Sequence, residues 1–245
     1  MTPSELRTYV VNRFVAPTQL LPLVSRVKWR MYPALVRHAP SLAIAIHEPE
    51  STRRFWDRLG PGMIVVDGGA NMGGYSLLAS ARVGESGRVF SFEPAPENAA
   101  RLRGFVAKCG NVEVVERAIG GSVGVAQLHL DTFHAGHSLT IVRGDAGTIE
   151  VPVTTMDAFV AEKRLPGIDV LKLDVEGAEL DALRGATALL SGARRPTILC
   201  EVHAPILPEE LRDYLTPFGY VTELLDARFT GLPHEVPVHV LSRPR

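Results

Sequence analysis

The chain has 245 residues, of which 26 are Lys or Arg and 27 are Asp or Glu, so its formal net charge is −1. This balance lacks the positive excess with which proteins bind the phosphate backbone of nucleic acids, and two cysteines are too few for a disulfide scaffold. The longest run without a charged residue, residues 68–81, is shorter than the ~20 apolar residues of a membrane span. Because the first residues also lack the pattern of a secretory leader, we expect a cytoplasmic globular protein.

Residues 1–58 differ from the remainder of the chain. Prolines at 17, 22, 33 and 40 divide this segment into short pieces, which predicts a helical extension made of short helices. Two roles fit such an extension. It forms a lid beside the ligand site of the following domain, residues 59–245, or it forms an arm through which the chain makes a homodimer.

Strands and helices alternate from about residue 60 onward. The first three strands are predicted at 63–66, 88–92 and 112–115, with amphipathic helical segments between them. Strands that are spaced by helices form βαβ units and pair in parallel. The sequence therefore predicts an α/β domain.

The second half of this domain begins with an interruption. Residues 120–153 predict β-structure with loops rather than a helix. The alternation then returns, with helices predicted at 155–165, 178–190 and 208–218, and strands at 170–173, 197–202, 220–225 and 236–241. A hairpin-like connection joins the last two strands, which makes the last pairing antiparallel.

A glycine-rich turn follows the first predicted strand, with the sequence V-D-G-G-A-N-M-G-G at residues 66–74. Glycines at the carboxyl end of a strand allow a tight turn and a close approach of the backbone to a ligand. The spacing does not fit the G-x-G-x-x-G of dinucleotide-binding proteins. Asp67, before the glycines, would repel a pyrophosphate but would hold an amine, and S-adenosylmethionine carries an amine and no phosphate.

A second acid, Glu93, ends the strand predicted at 88–92. A carboxylate at this place accepts hydrogen bonds from both hydroxyls of a ribose. The sequence therefore predicts a nucleoside site in which five residues contact the cofactor: Asp67, Gly69, Asn71, Gly73 and Glu93. The structural alternative is a tight strand-to-helix turn followed by an acid at a helix N-terminus.

Several motifs in this part of the chain resemble those of the FkbM family of S-adenosylmethionine-dependent methyltransferases. Residues 66–73 resemble V-D-V-G-A-N-x-G, F-E-P stands at 92–94, and L-K-L-D-V-E-G-A-E at 171–179 resembles L-K-x-D-V-E-G-x-E. The resemblance implies a class I methyltransferase fold, a Rossmann-like sheet of about seven strands with the last strand antiparallel. It also implies methylation of an oxygen on a small molecule, often a sugar or a secondary metabolite.

The chain departs from the family pattern at two places. Gly68 stands where the family usually has a small apolar residue. Residues 116–118 offer no clear acid for the amino group of an adenine, so the adenine contact stays open.

A second group of polar residues lies at the ends of the strands predicted at 170–173 and 197–202. Strand alternation puts Lys172 and Asp174 on one face, and Glu201 and His203 on one face of the next strand. Since the family fold makes these strands neighbours, we expect Lys172 to pair with Glu201, as a buried ion pair without chemistry. Asp174 and His203 would then project toward the transferred methyl group.

Methylation of a neutral hydroxyl requires a group that takes up its proton. The candidates for this base are Asp174, His137 and His203, in that order. His137 belongs to a segment with His134 and Asp131 that resembles a metal site superficially, although a loop beside the site fits the sequence better. A divalent metal ion bound by Asp174 and Glu201 is the rival way to acidify the hydroxyl.

Two other functions remain as alternatives at this stage. The first is a nicotinamide-dependent oxidoreductase, against which Asp67 and the glycine spacing argue. The second is a nucleoside-binding module without catalysis, against which the cluster at residues 174–176 argues.

Overall fold

The computed structural model describes residues 21–46, 49–130, 138–139, 147–225 and 238–245. They fall into two compact units that divide between Ala45 and Ile46. Nine α-helices lie in the described part of the chain: α1 (Leu21–His38), α2 (Pro40–Ile46), α3 (Pro49–Arg58), α4 (Gly74–Val83), α5 (Pro96–Val106), α6 (Met156–Glu162), α7 (Glu179–Arg184), α8 (Thr187–Ser191) and α9 (Pro208–Leu215). None of these described helices has both the length and the apolar character needed to cross a membrane. The predicted lid or dimer role of the extension stays a prediction.

Ten strands in the described residues form two sheets. Their bounds are β1 (Ile64–Gly68), β2 (Arg88–Phe92), β3 (Val112–Val115), β4 (Ala118–Ile119), β5 (Gly124–His129), β6 (Thr148–Thr154), β7 (Val170–Leu173), β8 (Thr197–Val202), β9 (Tyr220–Leu224) and β10 (Val238–Pro244). Seven strands form the large sheet in the order β3-β2-β1-β7-β8-β10-β9.

The strand directions of the large sheet confirm the predicted fold class. The first five strands in this order, β3, β2, β1, β7 and β8, pair in parallel with their neighbours. The last strand, β10, lies between β8 and β9 and runs antiparallel to both. The carboxyl ends of β1, β2 and β7 therefore meet at one edge of the sheet, where ligands bind in open α/β sheets.

The centre of the large sheet is buried on both faces. All residues of β1 and β7 are buried, including Asp67 and Lys172. On one face, the ring of Phe159 from α6 meets the rings of Phe90 and Phe92 edge-on, with centroid distances of 5.1 and 4.8 Å. Such a core makes the sheet a rigid base for side chains at its edge.

The small sheet accounts for the predicted interruption. Its strand order is β4-β6-β5, with β5 and β6 antiparallel. Its apolar face buries Leu128, Val151 and Val153 together with Ala95, which follows the end of β2. The small sheet therefore packs beside the carboxyl edge of the large one.

The helix predicted at 178–190 is divided into α7 and α8. Gly185 lies at the break, and a Cβ there would be 2.2 Å from the carbonyl oxygen of Gly120, so only glycine fits this close approach. The carboxylate of Asp157 accepts hydrogen bonds from the N–H groups of Ala188 and Leu189, each at 2.8 Å. A cap supplied by another helix therefore starts α8 anew, which a local pattern does not predict.

Replacement of Gly68 by Ala tests how closely β1 packs against β4 and β7. The new Cβ would lie 2.8 Å from Cδ1 of Ile119 and 3.1 Å from Cδ2 of Leu173. We expect Gly68→Ala to lower the free energy of unfolding by ~1–3 kcal/mol, the usual cost of overpacking. Ile119→Val removes that Cδ1 atom and alone costs ~0.5–1.5 kcal/mol.

The double variant should therefore lose less stability than the sum of the two single losses. Urea unfolding followed by circular dichroism measures all three variants. Strictly additive losses would contradict the predicted contact between the new methyl group and Ile119.

Candidate active site

The glycine-rich turn between β1 and α4 has a conformation that its residues dictate. Gly69, Asn71 and Gly73 have positive φ angles of 71°, 45° and 83°. A Cβ on Gly69 would lie 1.8 Å from the carbonyl oxygen of Asp174, so no other residue fits at this position. The turn is therefore held directly against the carboxyl end of β7.

Glu93 lies beside this turn at the end of β2. One of its carboxylate oxygens accepts a hydrogen bond from the N–H of Asn71 at 2.9 Å, and the other accepts one from the N–H of Ala95 at 3.0 Å. The residue is 5% exposed. Burial raises the pKa of Glu93 to about 7, although the hydrogen bonds from Ala95, Asn71 and Asn98 and the charge of Lys172 oppose this shift.

A cavity of about 570 Å³, part of it open to solvent, connects these elements. Fourteen residues line it, from the turn (Gly69, Asn71), the end of β2 (Phe92, Glu93, Pro94), α5 (Asn98), the small sheet and its approach (Arg117, Ala118, Ile119, Leu128, Leu139) and the end of β7 (Asp174, Val175, Glu176).

Polar side chains lie at both ends of the cavity. Glu93 and the buried amide of Asn98 lie at the β2 end, and Asp174 and Glu176 lie at the β7 end. The wall contributed by Ile119, Leu128 and Leu139 is apolar. A ligand that fits this cavity therefore has an apolar or aromatic body between two polar groups.

Asp67 lies beneath the turn and does not line the cavity. It is fully buried, and its Oδ2 accepts a hydrogen bond from Ser76 Oγ at 2.6 Å. Its Oδ1 lies 3.4 Å from Lys172 Nζ and has no hydrogen bond within the described residues. The carboxylate predicted to hold an amine therefore contacts the protein itself.

The buried ammonium group of Lys172 connects the two strand ends. Its Nζ donates to the carbonyl oxygens of Gly68 and Gly69 at 3.3 and 3.1 Å and to Asp174 Oδ2 at 3.2 Å. The predicted pair of Lys172 with Glu201 is wrong, since the ion pairs of Lys172 in the described structure are with Asp67 and Asp174. The reason is register. On β1 the residue opposite Lys172 is Asp67, whereas on β8 it is Leu199.

His203 lies behind Asp174, after the end of β8, and is 3% exposed. Its Nδ1 is 2.9 Å from Oε1 of the fully buried Glu179. Burial opposes the charged imidazolium, but the hydrogen bond with Glu179 and the charges of Asp174 and Glu176 outweigh it and raise the pKa of His203 to about 9. In this arrangement His203 carries a proton at neutral pH, which argues against its predicted role as a base.

The structure thus brings most of the predicted site residues together. Gly69, Asn71, Glu93 and Asp174 line one cavity, and His203 lies next to Asp174. Gly73 lies in the turn, where a Cβ would be 2.5 Å from Leu102 Cδ1. His137, the remaining candidate base, lies outside the described residues.

Two carboxylates of the site were missed as site residues. Glu176 lines the cavity, and Glu179 fixes the ring of His203. The sequence does show three acidic residues close together at 174–179, on either side of one glycine, and this concentration of acids was the sign of a larger acidic site. Their roles depend on the turn at Glu176 and Gly177, whose φ angles are 53° and 97°.

The ammonium group of Lys172 is the contact whose removal should damage this site most. Lys172→Met keeps the apolar stem but leaves the buried Asp67 carboxylate without its cation, so the free energy of unfolding should fall by ~3–5 kcal/mol. Adding Asp67→Asn should recover part of this loss. The control is Lys163→Met, which removes a partly exposed ammonium paired with Glu113 and should cost less than ~1 kcal/mol. Equal losses for both lysine variants, in thermal or urea unfolding, would contradict this role.

The chain matches the family model of the methyltransferase FkbM domain over residues 67–222. The hexuronic acid methyltransferase AglP of Haloferax volcanii is 25% identical over 162 residues, which are 66% of this chain and 64% of that protein. The match therefore spans less than two thirds of the length of this relative.

Solved structures show the same fold. Methyltransferase FkbM from Methylobacillus flagellatus superposes with a TM-score of 0.52 at 15% identity, over 92% of this chain and 59% of that one. An S-adenosylmethionine-dependent O-methyltransferase from Thermotoga maritima superposes with a TM-score of 0.50 at 15% identity, over 80% of this chain and 65% of that one. With a family model that covers more than half of its length and the sheet of a class I methyltransferase, this chain belongs to the FkbM family of S-adenosylmethionine-dependent methyltransferases.

Proposed function

We propose that this protein transfers the methyl group of S-adenosylmethionine to a hydroxyl oxygen of a small polar molecule, with a hexuronic acid or a related sugar as the first class of acceptor to test. The observation that carries the proposal is the single cavity that has Glu93 at one end and Asp174 at the other. The relative AglP, a hexuronic acid methyltransferase, supports the choice of acceptor.

The residues around the cavity fit the nucleoside part of S-adenosylmethionine. The Glu93 carboxylate accepts one backbone N–H on each oxygen and a further hydrogen bond from the Asn98 side chain, which leaves a lone pair that can accept a ribose hydroxyl. The apolar wall of Ile119, Leu128 and Leu139 suits the face of an adenine ring. Gly69, which has no side chain, lines the cavity with its backbone.

With the ribose at Glu93, the methionine end of the cofactor would lie toward the end of β7. When bound, S-adenosylmethionine supplies a methyl carbon on a positively charged sulfur. Asp67 and Lys172 act on this end indirectly, because they fix the turn from beneath.

The acceptor oxygen must reach the methyl carbon from the side of Asp174. A new oxygen–carbon bond forms as the carbon–sulfur bond breaks, and the electron pair of the broken bond goes to sulfur. The hydroxyl proton has to leave, and Asp174 is the described residue placed to act on it, since it lines the cavity and has a side chain 27% exposed. Positioning of the two reactants supplies most of the acceleration in a displacement of this kind.

The two alternative functions have less support. A nicotinamide-dependent oxidoreductase conflicts with the family to which the chain belongs. A module that binds a nucleoside without catalysis would not need Asp174 and Glu176 at the cavity wall.

The proposed ribose contact makes cofactor binding depend on pH. The useful probe is 5′-methylthioadenosine, which has the ribose, the adenine and a thioether but no amine or carboxylate. Ionised Glu93 accepts a ribose hydroxyl, so the affinity for this probe should rise as the pH rises through about 7 and should then level off. A hydrogen bond to a charged group is worth ~1.5–3 kcal/mol, and we therefore expect a change of about tenfold or more in calorimetric titrations.

The matched variant is Glu93→Gln, which keeps the shape of the side chain. Its affinity for 5′-methylthioadenosine should be lower at pH 8 and independent of pH. The same pH dependence in Glu93→Gln as in the unmodified protein would remove Glu93 from the site.

The proposed reaction is tested with labelled S-adenosylmethionine and a panel of hexuronic acid glycosides, with mass spectrometry of the products. We expect a product one methyl group heavier. Asp174→Asn should lower kcat by ~10²–10⁴-fold, the usual contribution of a group that acts on a proton, while 5′-methylthioadenosine binds as before. The control Asp213→Asn changes an exposed acid paired with Arg212 and should leave turnover unchanged. Full turnover in Asp174→Asn would contradict its role.

A further inference from the structure

Three carboxylates surround one nitrogen atom at the β7 end of the cavity. Nε2 of His203 lies 3.4 Å from Glu176 Oε2, 3.8 Å from Glu201 Oε1 and 3.9 Å from Asp174 Oδ1. We call the three carboxylates, those of Asp174, Glu176 and Glu201, the acid ring. Ligand atoms of Asp174, Glu176 and His203 all lie within 4.8 Å of one another, which is the spacing of atoms that share one small cation.

The imidazole of His203 is aimed into the acid ring and fixed there. Its Nδ1 is bound to Glu179 Oε1, which also accepts the N–H of Gly177 at 3.0 Å. The side chain is 3% exposed, yet its Nε2 makes no hydrogen bond among the described residues and meets the carboxylates only at longer ion-pair distances. A carboxylate on one ring nitrogen that directs the other nitrogen outward is the usual environment of a metal-binding histidine.

The charges around His203 favour a cation. Within the described part of the chain, Lys172 is shared between Asp67 and Asp174, and the ion pairs of Glu179 and Glu201 are with imidazoles alone. Carboxylates removed from water need a positive partner. In the free protein the protonated imidazole of His203 supplies part of this charge. A divalent cation that displaces the proton from Nε2 would supply it for several of these carboxylates together.

The backbone turn directs the side chain of Glu176 toward His203. Glu176 has a φ of 53°, which is unfavourable for a residue with a side chain, and strained positions of this kind cluster at functional sites. The turn directs its carboxylate back to His203 rather than outward into water. The side chain is 15% exposed.

We propose that Asp174, Glu176 and His203 bind a divalent cation of the Mg²⁺ or Mn²⁺ class, and that this cation binds the acceptor hydroxyl. Two carboxylates with one imidazole suit these metals, which prefer oxygen ligands. Asp174 and Glu176 line the cavity, so the remaining coordination positions would face the cavity, where an acceptor hydroxyl can reach them. The role in catalysis rests on the proposed function, and it makes Asp174 act on the hydroxyl proton as a metal ligand rather than as a free base.

The chemistry of the step balances without a further reactant. A hydroxyl bound to the cation is more acidic and releases its proton to water. The oxygen lone pair then forms the bond to the methyl carbon, and the sulfur takes the electron pair of the broken bond. The cation is neither oxidised nor reduced.

The test is a titration of the full, untagged chain with Mn²⁺, with free Mn²⁺ measured by electron paramagnetic resonance. We expect one Mn²⁺ per chain at micromolar concentrations. Glu179→Gln removes the carboxylate that orients His203 and should weaken binding by ~10–100-fold. Glu176→Gln removes a ligand from the site and should weaken it at least as much. Circular dichroism and the melting temperature establish that each variant is folded.

The matched control is Glu223→Gln, an exposed acid paired with Arg54, which should bind Mn²⁺ like the unmodified protein. The inference is overturned if the unmodified chain binds no Mn²⁺ at millimolar concentrations, or if folded Glu176→Gln binds it with unchanged affinity. Binding of 5′-methylthioadenosine to the same samples separates the two proposals. If it binds and Mn²⁺ does not, the metal site alone is wrong. If Mn²⁺ binds and the nucleoside does not, the proposed function is wrong.

Discussion

A single buried ammonium group, that of Lys172, joins the carboxyl ends of β1 and β7. It satisfies the carbonyl oxygens of Gly68 and Gly69 and is the cation for both Asp67 and Asp174. Each of these groups would be costly to bury alone, because unpaired polar groups and charges lose their hydration. The conformation of the glycine-rich turn and the placement of Asp174 therefore depend on the same contact. A change at Lys172 affects both ends of the cavity.

Close packing of the backbone reinforces this connection. The turn at Gly69 lies so near the carbonyl of Asp174 that no side chain fits between them, and the N–H of Asp174 donates to the carbonyl of Gly68 at 3.1 Å. Rigid strands thus hold the part of the cavity at Glu93 and the part at Asp174 in one geometry. Preorganisation of this kind favours in-line displacement, since a misplacement of about 1 Å is costly in rate.

Local patterns predicted much of the fold, and non-local contacts account for the remainder. Alternation of apolar residues and the glycine-rich turn located the strands that carry Asp67, Glu93 and Asp174. The same alternation put Lys172 and Asp174 on one face but led to Glu201 as the partner of Lys172, whereas the register places Asp67 opposite it. The insertion of β10 between β8 and β9, and the role of Glu179, likewise depend on residues brought together by folding.

The charges around the cavity also indicate which class of ligand it favours. Several carboxylates lie at the strand ends, and burial raises the pKa of Glu93 to about 7. Above that pH the ionised form of Glu93 lowers the stability of the fold. A ligand that donates hydrogen bonds to this carboxylate offsets the loss. A dinucleotide would bring phosphates into this negative environment. S-adenosylmethionine brings two ribose hydroxyls as donors and a positive sulfonium and amine. The negative potential that is unfavourable in the free protein is therefore complementary to this cofactor, and transfer of the methyl group, which leaves a neutral thioether, weakens that attraction.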